Sequence, residues 1–130
     1  MCKYSQIIVI NGDVLSDLSF QLFYRFHLCR ENSATIAVKK HSIMNPYGVV
    51  AFNGLEYLGM DEKPVYNSFI NAGIYILNTK ILKLIKKNEF IDTPTLLERA
   101  MKNNFKCEIY PFESSWHDIG NINIYEELNQ

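Results

Sequence analysis

Apolar runs separated by short polar breaks dominate the first third of the chain. Residues 7–10 are four consecutive Ile and Val residues, which is typical of a strand buried on both faces in the middle of a parallel sheet. Apolar residues then recur over residues 18–28 with helical spacing, and residues 34–38 again include β-branched side chains. This order predicts a β-α-β unit whose two strands lie parallel and are joined by a right-handed crossover.

An Asn-Gly pair at residues 53–54 separates two largely apolar segments, residues 47–52 and residues 55–58. Asn-Gly between such segments predicts a β-hairpin that is closed by a type I′ turn. Pro64 follows soon after the second segment, and its ring is expected to push Lys63 into an extended conformation. This part of the chain is therefore predicted to be a hairpin that runs into an extended, charged segment.

A long apolar stretch at residues 68–77 predicts a further buried strand. Asn-Ala-Gly at residues 71–73 interrupts this stretch. A polar residue and a glycine in the middle of a buried strand indicate the close approach of a backbone or a ligand, although a bulge explains the glycine equally well. The pattern alone leaves both interpretations open.

Each predicted helix begins at a residue that can cap it. The expected N-caps are Ser16 or Asp17 for the first helix, Asn78 or Thr79 for the second, and Thr93, followed by Pro94 at the first helical position, for the third. The alternation over residues 106–112 predicts an edge strand, a place that Pro111 suits. A short helix is predicted from Asn121 to about Leu128, and His27 is expected to be a packing or capping residue.

Composition indicates one small globular, soluble protein and excludes some partners. The chain has 130 residues, of which 48% are hydrophobic and 21% charged, with a net charge of -1, so it lacks the basic surface that an extended nucleic acid requires. No apolar run approaches the roughly 18 residues of a membrane span, and we expect a cytoplasmic protein. Cys2, Cys29 and Cys107 are widely spaced, which favours free thiols over a disulfide framework or a zinc site.

Two aspartates are the strongest candidates for chemistry. Asp13 follows the first apolar strand and Asp118 follows a strand-like segment near the end of the chain, and each has a glycine close by. Polar groups at the ends of strands gather at one edge of an α/β sheet, and Mg²⁺ is usually held by only one or two protein carboxylates together with phosphate oxygens and water. The pair is therefore a candidate Mg²⁺ site, although residues 11–13 taken alone are also a common turn sequence. His117 beside Asp118 lacks the further patterned ligand that would favour zinc.

Five short motifs, taken in order, resemble the sugar-1-phosphate nucleotidyltransferase family. They are Asn-Gly-Asp at 11–13, Pro-Tyr-Gly-Val-Val at 46–50, Glu-Lys-Pro at 62–64, Asn-Ala-Gly-Ile-Tyr at 71–75 and Trp-His-Asp-Ile-Gly at 116–120. Residues 69–77 and 92–97 resemble the bacterial hexose-1-phosphate guanylyltransferase-like members, which make activated sugars such as GDP-mannose. The resemblance implies an α/β fold: an incomplete Rossmann-like, glycosyltransferase-A-like mixed sheet with flanking helices and a β-hairpin.

The resemblance also implies a reaction and a set of site residues. The reaction is the transfer of a nucleotidyl group from an NTP to a sugar 1-phosphate, with release of pyrophosphate. The implied roles are Mg²⁺ binding by Asp13 and Asp118, close approach of the sugar at Gly48, hydrogen bonding to sugar hydroxyls by Glu62, contact with the sugar phosphate by Lys63, and lining of the sugar pocket by Asn71. Of these residues, Asp13, Asp118 and Lys63 are the implied catalytic set.

One family motif is absent from the 130 residues. Family members carry a glycine-rich loop of the Gly-x-Gly-Thr-Arg type, whose backbone amides and arginine hold the NTP phosphates. We therefore expect residues 1–130 to be a single partial domain that contains the sugar-binding half and lacks the NTP-binding half. On that expectation the chain alone is inactive or extremely slow, the NTP binds only after complementation, and an exposed edge beside residues 7–10 favours a homo-oligomer.

Two alternatives to a complementable enzyme remain at this stage. The first is a non-catalytic binding or assembly module that keeps the sugar-phosphate pocket. The second is a decayed remnant without a ligand. Sugar 1-phosphate binding without turnover would favour the first, and the absence of any stabilisation by a sugar phosphate would favour the second.

Overall fold

The computed structural model describes residues 5–120 of the chain. The elements are β1 (Gln6–Ile10), β2 (Val14–Ser16), α1 (Phe20–Cys29), β3 (Ala34–Met44), β4 (Val49–Asn53), β5 (Glu56–Asp61), β6 (Val65–Asn78), α2 (Thr79–Leu82), α3 (Thr93–Lys102), β7 (Cys107–Phe112) and β8 (Trp116–Asp118). The described residues divide into two compact units: unit 1 contains residues 5–39 and 71–120, and unit 2 contains residues 40–70. The helix predicted from Asn121 lies outside the described residues.

The main sheet has four strands in the order β1-β6-β3-β7. β7 is parallel to β3, whereas β1 is antiparallel to β6, with Ile8 opposite Ile76. This mixed sheet with helices confirms the predicted α/β class. The predicted place of β1 is wrong, because β1 lies at an edge of the described sheet, β6 separates it from β3, and Ile8 and Ile10 are 45% and 48% exposed.

Residues 72–77 of β6 are buried on both faces of the sheet. Their side chains alternate between two core clusters, as the period of a strand requires. Ile74 and Ile76 join Phe23 of α1 in one cluster, and Tyr75 and Leu77 join the cluster that includes Leu96 and Ala100 of α3. The buried strand predicted over residues 68–77 is thus found at residues 72–77, whereas Ser68, Phe69 and Asn71 are exposed.

The helix caps agree with the predictions only in part. Asn78 caps α2 as predicted, while Ser19 caps α1 and Asp92 caps α3. The Asp92 carboxylate accepts a hydrogen bond from the Thr95 amide at 2.8 Å, so Thr93 is the first helical residue rather than the cap. The predicted caps of α1, Ser16 and Asp17, are both wrong, because the helix begins only at Phe20 and its N-cap is Ser19.

Unit 2 contains the predicted hairpin, formed by β4 and β5. Asn53 pairs with Glu56, so the connecting loop consists of Gly54 and Leu55. Gly54 has a φ of 61°, and Leu55 does not have a positive φ. A positive φ at the first central position alone is the pattern of a type II′ turn rather than the predicted type I′ turn, which requires positive φ at both positions.

The described residues also bear on two expectations from composition. None of their helices is long and apolar enough to cross a membrane. Cys29 and Cys107 are free thiols, as predicted, and Cys2 lies outside the described residues.

His27 is fully buried in a small polar network. Its Nε2 lies 3.0 Å from the Gln6 Oε1 acceptor, and its Nδ1 lies 2.8 Å from the Thr35 hydroxyl. In the neutral tautomer that carries its proton on Nε2, the ring donates a hydrogen bond to Gln6 Oε1 and accepts one at Nδ1 from the Thr35 hydroxyl, which itself accepts one from the Asn32 amide at 3.0 Å. His27 thus has the packing role that was predicted.

We expect the stability of the protein to fall when the pH drops below the ordinary histidine pKa of 6.5. Burial lowers the pKa of His27, so the unfolded chain binds the proton more tightly than the folded one does, and stability is lost as the pH falls from the unfolded pKa toward the folded pKa. Urea unfolding at about pH 7.5 and about pH 5.5 measures the difference. His27→Gln should abolish this pH-dependent loss of stability, whereas His41→Gln, at an exposed histidine, should retain it. An equal loss of stability in both variants would contradict the assignment to His27.

Candidate functional site

In unit 1, pairing between β2 and β8 brings Asp13 and Asp118 together. The strands are antiparallel, with Val14 opposite Asp118, and the Ile119 amide donates a hydrogen bond to the Asp13 carbonyl at 2.8 Å. Both aspartates are exposed. Residues that are 105 positions apart in the sequence thus become neighbours because the two shortest strands pair in this register.

Gly120 marks the point at which the two carboxylates converge. A methyl group added there would lie 3.0 Å from Asp13 Oδ2 and 3.1 Å from Asp118 Oδ1, and the Gly120 amide donates a hydrogen bond to Asp118 Oδ1 at 3.0 Å. Two exposed carboxylates that both approach Gly120 are the kind of ligand that a hard cation prefers. Among residues 5–120, no group of three or more His, Cys, Asp and Glu side chains is arranged around a metal position.

Two side chains that sequence reasoning did not assign to the site hold β8 in place. The Trp116 indole N–H donates to the Ala72 carbonyl of β6 at 2.9 Å. Lys39 Nζ donates to the carbonyls of Glu113 and Ser114 at 2.6 and 2.7 Å. Trp116 has a signal in the sequence, because it stands in the same motif as Asp118. Nothing in the sequence around Lys39 indicates its contact with the segment before β8.

The segment that carries Asp13 rests on Gly73. The Asn11 amide donates to the Gly73 carbonyl at 2.8 Å. Gly73 has a φ of 70°, and a methyl group there would lie 2.7 Å from Asn11 Nδ2 and 3.1 Å from Val14 Cγ2. Of the two interpretations of this glycine, the close approach of another segment is the one that the structure shows.

Asn71 also lies in unit 1, near the middle of β6. Its Oδ1 accepts a hydrogen bond from the Gly73 amide at 3.0 Å, and its Nδ2 donates to the Tyr75 hydroxyl at 2.6 Å. The residue is exposed while Tyr75 is buried. The side-chain amide is therefore fixed in direction, and its contact with a sugar stays a prediction.

In unit 2, Gly48 lies beneath the side chains of Met60 and Glu62. A methyl group on Gly48 would lie 2.7 Å from Met60 Sδ and 3.1 Å from Glu62 Oε1. The predicted reason for a glycine here is the approach of a sugar to the backbone. The structure supplies a second reason, because a side chain at residue 48 would require the Met60 thioether and the Glu62 carboxylate to shift.

Lys63 does not have the extended backbone predicted for it, since its φ is 46°. Lys63 is the second of only three residues that join the end of β5 to the start of β6. Its left-handed backbone departs from the extended conformation that the following proline favours. A non-glycine residue in this region costs on the order of 1–3 kcal/mol, and such residues cluster at functional sites.

Comparison with known proteins places these residues in context. The family model described as nucleotidyl transferase matches residues 2–130. A mannose-1-phosphate guanyltransferase of Gibberella zeae is 34% identical over 125 residues, which cover 89% of this chain and 33% of that protein. A putative mannose-1-phosphate guanyltransferase of Sulfolobus acidocaldarius is 25% identical, over 95% of this chain and 34% of that protein. The chain spans about a third of the length of these relatives.

The fold is shared with solved structures. The crystal structure of HddC from Yersinia pseudotuberculosis superposes with a TM-score of 0.65 and 22% sequence identity, covering 96% of this chain and 54% of that one. At this identity the likeness concerns the fold alone. The mixed α/β architecture described above is thus the architecture of a known group of structures.

Proposed function

Because the chain belongs to the nucleotidyl transferase family, we propose that it takes part in the transfer of a nucleotidyl group from an NTP to a sugar 1-phosphate, with release of pyrophosphate. The observation that carries the proposal is the convergence of the Asp13 and Asp118 carboxylates at Gly120. Two of the relatives are named as guanyltransferases for mannose 1-phosphate. Mannose 1-phosphate and GTP are therefore the first pair to test.

We propose that Asp13 and Asp118 hold Mg²⁺. Two carboxylates suit this ion, which commonly takes one or two from the protein and fills its other positions with water and phosphate oxygens. When bound, Mg²⁺ neutralises the negative charge that accumulates on the phosphates during transfer. The Gly120 amide supports this role, because its hydrogen bond to Asp118 Oδ1 fixes the orientation of one carboxylate.

The remaining site residues are proposed to bind and position the sugar 1-phosphate. Lys63 presents a compact ammonium group that suits a phosphate, Glu62 accepts hydrogen bonds from sugar hydroxyls, and Asn71 lines the sugar pocket. An oxygen of the sugar phosphate attacks the α-phosphorus of the NTP while the bond to the β-phosphate breaks and pyrophosphate leaves. No covalent nucleophile from the protein is required, so positioning and charge neutralisation account for the catalysis.

We propose further that these 130 residues need a partner segment for turnover. None of them forms a Gly-x-Gly-Thr-Arg sequence, and backbone amides of such a loop are the usual donors to nucleotide phosphates. A segment that supplies this loop would complete the NTP site. The sugar 1-phosphate, in contrast, should bind to the chain alone.

Calorimetry and a pyrophosphate assay test the proposal together. Mannose 1-phosphate is titrated into the chain, and pyrophosphate is then measured with GTP and Mg²⁺, with and without the N-terminal segment of a family member. We expect binding in the first experiment and pyrophosphate only when the segment is present. Binding without pyrophosphate in either case would favour a non-catalytic binding module, and failure to bind any hexose 1-phosphate would overturn the proposal.

Gly48→Ala is expected to weaken the binding of mannose 1-phosphate about tenfold, since loss of one charge-assisted hydrogen bond costs ~1.4 kcal/mol. The methyl group would displace the Glu62 carboxylate and the Met60 thioether from their positions over residue 48. Calorimetry measures the effect. Gly12→Ala is the matched control, because a methyl group there meets no atom within 4 Å; equal binding by the two variants would contradict the role given to Gly48.

A further inference from the structure

The connection between β5 and β6 contains the one residue of unit 2, other than glycine, with a left-handed backbone. That residue is Lys63, with a φ of 46°. An Asn side chain forms local hydrogen bonds that offset the energetic cost of a left-handed backbone. A lysine side chain has no such local compensation. Contacts elsewhere in unit 2 must therefore maintain the conformation.

Asn45 makes the contacts that are suited to this task. Its backbone amide donates to the carbonyl of Pro64, the residue directly after Lys63, at 2.9 Å. Its side-chain Oδ1 accepts a hydrogen bond from the Tyr47 amide at 3.0 Å. Asn45 thereby ties the Lys63 connection to the loop that leads to Gly48, above which the Glu62 carboxylate lies.

We infer that Asn45 is a positioning residue, which holds Lys63 in its left-handed conformation and so orients the Lys63 ammonium and the Glu62 carboxylate. The side chain of Asn45 fixes the loop at residues 45–47, and that loop in turn fixes the Pro64 carbonyl. That Lys63 and Glu62 bind a sugar 1-phosphate rests on the proposed function. The effect of Asn45 on the backbone conformation of Lys63 does not depend on that function.

A stability experiment tests the mechanical role without any ligand. Lys63→Gly should unfold at a higher urea concentration than Lys63→Ala, the reverse of their usual order, because glycine tolerates a positive φ. In an Asn45→Ala background this advantage of glycine should shrink or vanish, since residue 63 is then free to leave the left-handed region. An equal advantage in both backgrounds would overturn the inference.

A binding experiment tests its consequence for the site. Asn45→Ala should weaken mannose 1-phosphate binding about fivefold, the value of one exposed hydrogen bond, while Asn45→Asp should bind like the unaltered chain because a carboxylate oxygen accepts the same amide. Asn53→Ala, in the exposed hairpin of the same unit, is the matched control and should also bind like the unaltered chain.

The double variant separates positioning from a general loss of structure. If Asn45 acts through Lys63 as well as Glu62, Asn45→Ala should cost less binding in a Lys63→Ala background than in the unaltered chain, whereas fully additive losses would overturn the inference. If the unaltered chain binds no sugar 1-phosphate, the proposed function fails, and the urea experiment still decides the role of Asn45. If Lys63→Ala loses binding while Asn45→Ala does not, the proposed function stands and the inference fails.

Discussion

Asp13→Asn is expected to lower Mg²⁺-dependent pyrophosphate release by the complemented chain about a hundredfold, or ~2.7 kcal/mol of transition-state stabilisation. The substitution keeps the size of the side chain and removes the charge that faces Asp118 across Gly120. Asp118→Asn should have an effect of similar size. Because both variants act on the same ion, the double variant should lose little more than either single one.

Metal binding gives a measurement that does not depend on turnover. Paramagnetic Mn²⁺, used as a substitute for Mg²⁺, should broaden the amide resonances of Asp13, Asp118 and Gly120 in the unaltered chain, and this broadening should be lost in Asp13→Asn. Asp17→Asn is the matched control, since Asp17 is an exposed aspartate of the same unit. Mn²⁺ that broadens the same resonances in the unaltered chain and in Asp13→Asn would show that Asp13 is not a ligand.

The two aspartates lie together as the sequence predicts, but they meet through the two-stranded sheet of β2 and β8 rather than at an edge of the main sheet. Polar residues directly after apolar strands stand where strands end, and the ends of paired strands lie together. Asp13 precedes β2 and Asp118 ends β8, so the pairing of these strands brings the two carboxylates to one place. The motif alone could not predict Gly120 as the point of convergence, because that depends on the register between the strands.

The place of the strands in the sheet could not be predicted from apolar runs. Residues 7–10 and residues 74–77 are comparably apolar, yet the first run forms an edge strand and the second is buried on both faces. Burial depends on which strands and helices cover a segment, and neither run carries that information. The expectation of an exposed edge at residues 7–10, drawn from the family resemblance, agrees with the edge position of β1, while the homo-oligomer stays a prediction.

Lys63 illustrates a different limit. The rule that a residue before proline is extended is a statement about local sterics, and it holds when nothing else constrains the chain. Here Lys63 has a φ of 46°, and the hydrogen bond from the Asn45 amide to the Pro64 carbonyl holds the residue that follows it. The charge of Lys63 and the motif in which it stands identify it as a candidate site residue. Its left-handed backbone, which sets the direction of the side chain, could not be predicted from the local sequence.

Gly73→Ala is expected to destabilise the protein by about 2–4 kcal/mol, the sum of a positive φ and an overpacked contact in a buried strand. The glycine has a φ of 70°, and the methyl group would lie 2.7 Å from Asn11 Nδ2 and 3.1 Å from Val14 Cγ2. Urea unfolding followed by Trp116 fluorescence measures the loss. A change of this size is a large part of the stability of a small domain, which is typically about 5–15 kcal/mol.

Two comparisons separate the contributions to this loss. Gly54→Ala, at a φ of 61° with no atom within 4 Å of the new methyl group, should show the backbone cost alone, about 1 kcal/mol. Asn11→Ala combined with Gly73→Ala should recover part of the loss by removing the shortest contact. If Gly73→Ala cost no more than Gly54→Ala, the close approach of Asn11 would not be the reason for the glycine. Because the segment that rests on Gly73 carries Asp13, the same substitution should also weaken the broadening of the Gly120 resonance by Mn²⁺, and this links the packing of β6 to the candidate metal site.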